Sequence, residues 1–487
     1  MLHLFMYFHG MQYRLLLICL SLSFLSYAQP GYGFFYTNFG SEGDDIANRV
    51  IQSRSGHYFV IGSTTQSSFG QTDFVLVKHD SIHHYQWEKI YGGFFADIGK
   101  DIVELSDSGF VLAGYSNSYG SGGYDGLFYR VDKLGDIVWT KSVGSSDWDF
   151  INKIHLVGDS LLIACGYKED KTNKKQGWII CMDLNGNVRW QKVIGGTQDD
   201  QLNGLTLTTD NRLVFIGTTT SYNDLNGDIW LPVFNINGDS LTTKFFGGNK
   251  KEVGQSIYQE KNKDIVFCGG SESFTTGKLD AYMVRTDSAF LQVWQMNYGQ
   301  SSQDEIAWDI KPARSNYGSM LVCYSTRESV AFGLDAKALL LNPSGYYIDG
   351  GRIGSYGEEE VFSIVSCKDK GYVLAGYTTS YNAKMKDFYL LQFDSLVHGT
   401  GTIVLSNSEI ANDTQAELYP MPFREKFYLN NSNGEVIEIA IWDLEGRQIN
   451  FNYNPLSSEI SGDFAPGLYF LSVKGKDKVI YRKIIKE

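Results

Sequence analysis

The chain has 487 residues, a formal net charge of −13 and six cysteines. It is too long for one ordinary domain, and its acidity argues against nucleic acid or an anionic membrane as a partner. The negative charge belongs to the region before Glu417, because the segment after it is nearly balanced.

The first ten residues, MLHLFMYFHG, lack the positive charge of a signal n-region. From Met11 the pattern becomes conventional: Arg14, the apolar run LLLICLSLSFLS, then Ser26-Tyr27-Ala28. This predicts a secretory signal peptide over 1–28, cleaved after Ala28, with Met1 and Met11 both open as the start. The apolar run is too short to span a membrane as a helix.

Residues 29–397 are a repeat. Gly40, Gly92, Gly144, Gly195, Gly247, Gly299 and Gly354 recur at about 52 residues, and each copy divides into four short alternating runs. In the second copy these are KDIVEL (100–105), GFVLAGY, DGLFYRV and DIVWTKSV. Four strands per repeat, seven times, predict an all-β fold, a seven-bladed β-propeller. Trp87, Trp139, Trp190 and Trp294 stand five residues before the marker glycine, where a large aromatic wedges between blades. Gly62, Gly114, Gly166, Gly217, Gly269 and Gly376 stand twenty-two residues after it, as expected of a close backbone approach, with Tyr324 in the longer sixth copy. The seventh copy lacks a fourth strand. GFFYTNFG (33–40) matches it, with Phe35 in the Trp place, so the N-terminal strand is expected to close the ring.

Cys19 leaves with the signal peptide. Cys165, Cys268 and Cys323 occupy one repeat position, where other copies have Ile61, Ala113, Ile216 and Ala375, so they read as buried core residues. Five remaining cysteines argue against a disulfide framework, although Cys165 and Cys181 share a blade.

Residues 398–416 are polar and turn-rich and read as a linker. From 417 to 487 short alternating strands with tight turns suggest a small β-sandwich. Tyr419-Pro420-Met421-Pro422-Phe423, Val436 to Arg447, the turn Gly467-Leu468-Tyr469, and a basic end with Lys483 and Lys486 follow in order. This segment resembles the type A C-terminal sorting domain of the type IX secretion system of Bacteroidetes, which usually has Asn in place of Met421. The resemblance implies Tyr419, Pro420, Pro422, Gly467, Tyr469, Lys483 and Lys486 as sorting-signal residues and the translocon and sorting machinery as partners. It also implies export across the outer membrane, removal of the domain, and release or attachment to outer-membrane lipopolysaccharide.

Chemistry is sparse. Acids recur five residues after each marker glycine (Asp45, Asp97, Asp149, Asp200, Glu252, Asp304, Glu359), and a second set opens each third strand, with Gly177 as the exception. A ring of carboxylates suits cations, but recurrence in every blade favours acids that each pin a turn. Asp224, Asn226 and Asp228 alternate as in calcium loops, without the closing Glu of an EF-hand. No other cofactor is indicated, and no Gly-x-Ser-x-Gly, HExxH or P-loop motif occurs. In the loops between second and third strands, Phe69, Tyr119, Tyr222, Phe274 and Tyr381 stand among Ser, Thr and Asn, which suits glycan or protein recognition and equally suits loop packing. The expectation is an exported, non-enzymatic surface or extracellular binding or adhesion module. The competing class is a glycan-active hydrolase or lyase with a site assembled from several blades.

Overall fold

The structure is a computed structural model. It describes residues 35–393, apart from 66–70, 170–171, 173, 223–225, 276–277, 300–302, 314–317, 327–332, 369–370, 382 and 384. It also describes residues 416–486, apart from 420–422, 432–437, 443–447, 456 and 475–478. The signal peptide and nearly all of the linker lie outside the described residues. By its contacts the chain divides into two units, Met1–Ser406 and Asn407–Glu487.

The first unit is a seven-bladed β-propeller. Seven antiparallel four-stranded sheets follow one another, each running strand by strand from the centre outward. The innermost strands are Asp45–Gln52, Asp97–Glu104, Trp148–Val157, Asp200–Leu207, Glu252–Gln259, Asp309–Pro312 and Glu359–Ser366, and each neighbours the next around a closed ring. Burial follows from this layering. The second and third strands, covered on both faces by adjacent blades, are buried almost end to end, as in Tyr58–Thr64 and Asp73–His79. The outermost strands are half exposed. Each core cluster is shared by two adjacent blades, as where Phe59 and Phe74 pack on Phe110 and Tyr129.

Phe35–Phe39 is the outermost strand of the seventh blade. It pairs antiparallel with Asp387–Phe393, Phe35 opposite Gln392, which is the register of Trp139 opposite Arg130 in the second blade. The two ends of the ring are thus held by one sheet, which removes an edge. The tryptophans sit farther out than a core wedge would, half-buried on the outermost strands, each over the hairpin of the next blade. Trp87 lies over Gly135, whose φ of 82° already favours glycine; a Cβ there would come within 3.0 Å of the indole.

Each inner strand except the sixth carries a β-bulge three residues in, or four in the longer strand of the third blade, for example between Gly99 and Asp101. The mid-strand glycine lies beside it. A Cβ on Gly114 would sit 1.9 Å from the Ile98 carbonyl oxygen, so no larger residue fits. The sixth blade has Tyr324 in that place, and there the inner strand is cut to Asp309–Pro312, opposite Cys323 to Met320.

The five described cysteines are buried and free. Cys165 pairs with Ile179, and Cys181 with Ile163, so the two thiols of the third blade are not partners.

The second unit is a β-sandwich. One sheet contains Ala416–Tyr419, Lys426–Asn431, Glu459–Ser461 and Asn452–Asn454; the other contains Glu438–Trp442, Gly467–Lys474 and Val479–Lys486. Phe427 and Ile460 of the first and Ile441, Leu471 and Ile484 of the second share one core with Phe423.

Candidate functional site: the central channel

The carboxylates at the starts of the inner strands hold the fold. Asp97 accepts from the Gly93 N–H at 2.8 Å and the Ser118 hydroxyl at 2.7 Å; Asp200 does the same with Gly196 at 2.7 Å and Ser221 at 2.6 Å. Glu359 takes Ser355 N–H at 2.9 Å and Thr378 at 2.7 Å. All are buried. Two positions differ from the count along the sequence. In the sixth blade the buried acid is Glu305, accepting from Thr326 at 2.9 Å, while Asp304 is exposed. In the third blade the residue aligned with the third-strand Asp is Gln176, not Gly177: its side chain lies against Gly195 as that of Asp125 lies against Gly144.

The aromatic loop residues turn back onto their own blades. Tyr222 packs on Trp230 and Phe245 (ring centroids 6.4 and 5.4 Å), Phe274 on Tyr282 at 5.5 Å and Tyr381 on Tyr389 at 5.8 Å. Tyr119 donates its hydroxyl to the Gly92 carbonyl at 2.8 Å. Phe69 lies outside the described residues, as does Asp224. Of the other calcium-loop residues, Asn226 donates to the Asn249 carbonyl at 3.4 Å and Asp228 is buried at a strand start. Among the described residues, no three His, Cys, Asp or Glu side chains are grouped to hold a metal.

A different set of residues converges at the centre. Two successive residues of each inner strand, at the bulge in six blades and at the matching place in the sixth, stand at the centre: Asn48 and Arg49, Lys100 and Asp101, Asn152 and Lys153, Asn203 and Gly204, Gln255 and Ser256, Trp308 and Asp309, Phe362 and Ser363. All of them but Asp101 and Ser363 line a cavity of about 1030 Å³ whose other walls include Asp44, Thr65, Thr72 and Ala96, at the end that carries the loops between second and third strands.

One carboxylate is the hub. Asp309 accepts from Arg49 at 2.6 Å, Lys311 at 2.6 Å, the Ser256 hydroxyl at 2.6 Å and the Ile364 N–H at 3.2 Å, so it joins the first, fifth, sixth and seventh blades. Asp101 accepts from the Ile154 N–H at 2.9 Å and pairs with Lys153 at 3.2 Å and Arg49 at 3.4 Å. Both acids are 2% exposed. Burial alone would raise the Asp309 carboxyl, but Lys311, Arg49 and Lys153 outweigh it and hold it below the ordinary range. Lys153 is pushed down to about 8, by burial first and then by Arg49, with Asp101 opposing. Burial also lowers Lys100, against Asp101, and lowers His155, with Lys153 adding to the effect. Above this level the amides form a partial girdle: Asn48 donates to the Gly99 carbonyl at 2.8 Å, Asn152 to Leu202 at 2.9 Å and Asn203 to Gly254 at 2.8 Å.

Aromatic groups flank this floor on two sides. Tyr115 and Tyr167 pack around Phe150 at 4.9 and 4.6 Å, with Tyr124 beside Phe150 at 5.5 Å. Trp308 and Phe362 meet at 5.4 Å on the blades across the ring. None of the channel residues was singled out from the sequence. The available signal was negative: at these positions the repeat stops repeating.

In the second unit Tyr469 is buried against Phe464 at 5.4 Å and donates to the Ala465 carbonyl at 2.8 Å. Gly467, Lys483 and Lys486 lie in its strands and Tyr419 in its first; Pro420 and Pro422 lie outside the described residues.

Fold and site together define a β-propeller with a charged central cavity, joined to a separate β-sandwich. Residues 417–487 match the family described as "Secretion system C-terminal sorting domain". That segment is a type IX sorting domain; the chain is exported to the cell surface or extracellular space and engages the secretion machinery. No curated protein matches the chain. Solved structures similar to it include the Pan2 WD40 domain of Neurospora crassa, at 11% identity and TM-score 0.46, with coverage of 76% of this chain and 97% of that one. Puromycin hydrolase has 11% identity and TM-score 0.49, with 91% and 60% covered. PorZ, a bacterial surface component of the type-IX secretion system of Porphyromonas gingivalis, has 13% identity and TM-score 0.44, with 92% and 60% covered. The chain thus spans 60% of the length of the last two. These likenesses bring neither ligand nor activity to this chain.

Proposed function

We propose that the propeller is a non-catalytic binding module working outside the cell, and that its ligand, a glycan or a protein segment, enters the central cavity. The observation behind this is the cavity itself, a recess of about 1030 Å³ combining cations, amides and aromatic faces. Tyr119, Tyr222 and Phe274, each more than a third exposed on the loops at that end, would extend contact with a large ligand. Removal of residues 417–487 on export, with release or attachment to lipopolysaccharide, belongs to the same reading.

A glycoside hydrolase needs one protonated and one ionised carboxyl facing the bond. Asp101 and Asp309 are both bound to cations, and Asp309 is held ionised. A lyase is the second reading, favoured by Lys153, a lysine near 8 that could serve as a base. Saturable binding of a polysaccharide without product is the expected result. Release of reducing ends or unsaturated sugar from a polysaccharide panel would establish the enzyme instead.

A further inference from the structure

We propose that the cavity floor is an anion site and that its occupant is an acidic saccharide bearing a carboxylate or sulfate. The proposal rests on the cavity being the ligand site and names the class of ligand.

The charges at the floor do not balance. Arg49, Lys100, Lys153 and Lys311 face Asp101 and Asp309, four cations against two carboxylates at the floor, and with Asp44 at the loop end counted the cavity still keeps an excess of one positive charge. The surplus falls on the second- and third-blade side. Arg49 and Lys311 are committed to Asp309 and Lys153 shares Asp101 with Arg49, while Lys100 has only a long hydrogen bond to the Asn48 amide oxygen at 3.4 Å. His155, beside Lys153, adds no negative charge. Enclosed cations without counter-charge cost stability, and this cost is incurred inside a protein whose net charge is −13. An anion delivered by a ligand removes it, and departures of this kind from a satisfied interior mark functional sites.

The walls specify more than an anion. A bare sulfate or phosphate would occupy a small part of about 1030 Å³. The Tyr115 ring on one side and Trp308 and Phe362 on the other offer flat apolar faces of the kind that cover a sugar ring, while Tyr167 is stacked on Phe150 and carries Lys175 over its ring. Gln201 and Gln255 also line the cavity, and among the described residues their amides make no hydrogen bond within the protein, which leaves them for hydroxyl groups. Cation, amide and aromatic face together match a pyranose that carries an acidic substituent.

Isothermal titration of the whole mature chain with digalacturonate, a sulfated disaccharide, cellobiose and inorganic sulfate tests this. At least one of the acidic disaccharides should bind saturably, one per chain and more weakly at high salt, and which of them binds tells carboxylate from sulfate. Lys100→Gln, at a partly exposed side chain outside the salt-bridge network, should weaken that binding about tenfold, the loss of one charge-assisted contact, and Lys100→Arg should restore it. Cellobiose binding as tightly and indifferently to Lys100→Gln would overturn the anion assignment while the binding module stands. Inorganic sulfate as tight as the best saccharide would overturn the saccharide. Failure of both acidic disaccharides to bind would overturn the proposal outright. Turnover of a bound uronate would instead overturn the non-catalytic reading and leave the ligand class in place.

Discussion

Two rings of side chains lie only four residues apart on the same inner strands, and they obey opposite rules. The ring of carboxylates at the strand starts is chemically the same in seven copies, from Asp45 to Glu359, and each member secures its own loop with N–H and hydroxyl donors. The ring at the bulge is Arg49, Asp101, Lys153, Gly204, Ser256, Asp309 and Ser363. Neighbours there differ by charge, size and polarity. Every blade has its own loop to hold, so the first ring repeats. All blades share one axis, so the second cannot: seven like charges converging there would repel strongly at such short range. Opposite charges from different blades instead bind the ring across its centre, and what remains uncompensated faces the cavity.

This contrast can be broken at either ring. The largest effect is expected from Asp309→Asn, which leaves Lys311 without its carboxylate and Arg49 with Asp101 alone, and loosens four blades at once. A loss of about 3–5 kcal/mol is expected, read by chemical denaturation of the mature chain. A loss smaller than that of a strand-start acid would mean that the central network does not bind the ring. Asp97→Ala removes the acceptor for the Gly93 N–H and the Ser118 hydroxyl in one of seven equivalent places, and should cost about 1–3 kcal/mol. Its melting temperature should not respond to calcium or chelator; a large chelator-induced fall in the unmodified protein would give the strand-start ring to a metal.

The smallest effect concerns pH. Asp73 lies beside Asp97 at the boundary between first and second blades, and burial, then the Asp97 charge, raise it from 3.8 to about 6. Between these values the folded chain holds the proton and the unfolded chain does not, so this group's contribution to stability falls as pH rises through that window. Asp73→Asn removes the dependence. It should gain in melting temperature relative to the unmodified protein from pH 5 to pH 7. An equal offset at both pH values would show that Asp73 is not carrying a retained proton.

The sixth blade shows how one residue shifts the pattern. Where the other copies place glycine beneath the crossing carbonyl, Tyr324 has a Cβ that cannot fit there, and the ladder of the inner strand is lost before Trp308, whose N–H still reaches the Cys323 carbonyl at 3.0 Å. The freed segment takes other bonds: the Ala307 N–H reaches the Gly269 carbonyl of the fifth blade at 2.9 Å, and Trp308 lines the cavity. Glu305 stands four residues before Asp309, as Asp97 stands before Asp101, so the buried acid moves from Asp304 to Glu305 because one more residue follows Gly299.

Blade number, strands per blade, ring closure by the N-terminal strand and the sorting domain were all readable from the amino-acid sequence. Each rests on local alternation, turn chemistry or a repeated spacing, and these are written along the chain whatever its neighbours do. The channel was not readable, for two physical reasons. The bulge resets the alternation in the middle of the inner strand, so the reading of the second blade began at Lys100 where the strand begins at Asp97. The residues that matter there, from Arg49 to Asp309, are also separated by as many as 260 positions and are brought within hydrogen-bonding distance only because seven strands meet at one axis. Periodicity therefore determined the blades, and convergence at the axis, which only the tertiary structure supplies, decided which side chains face the central cavity.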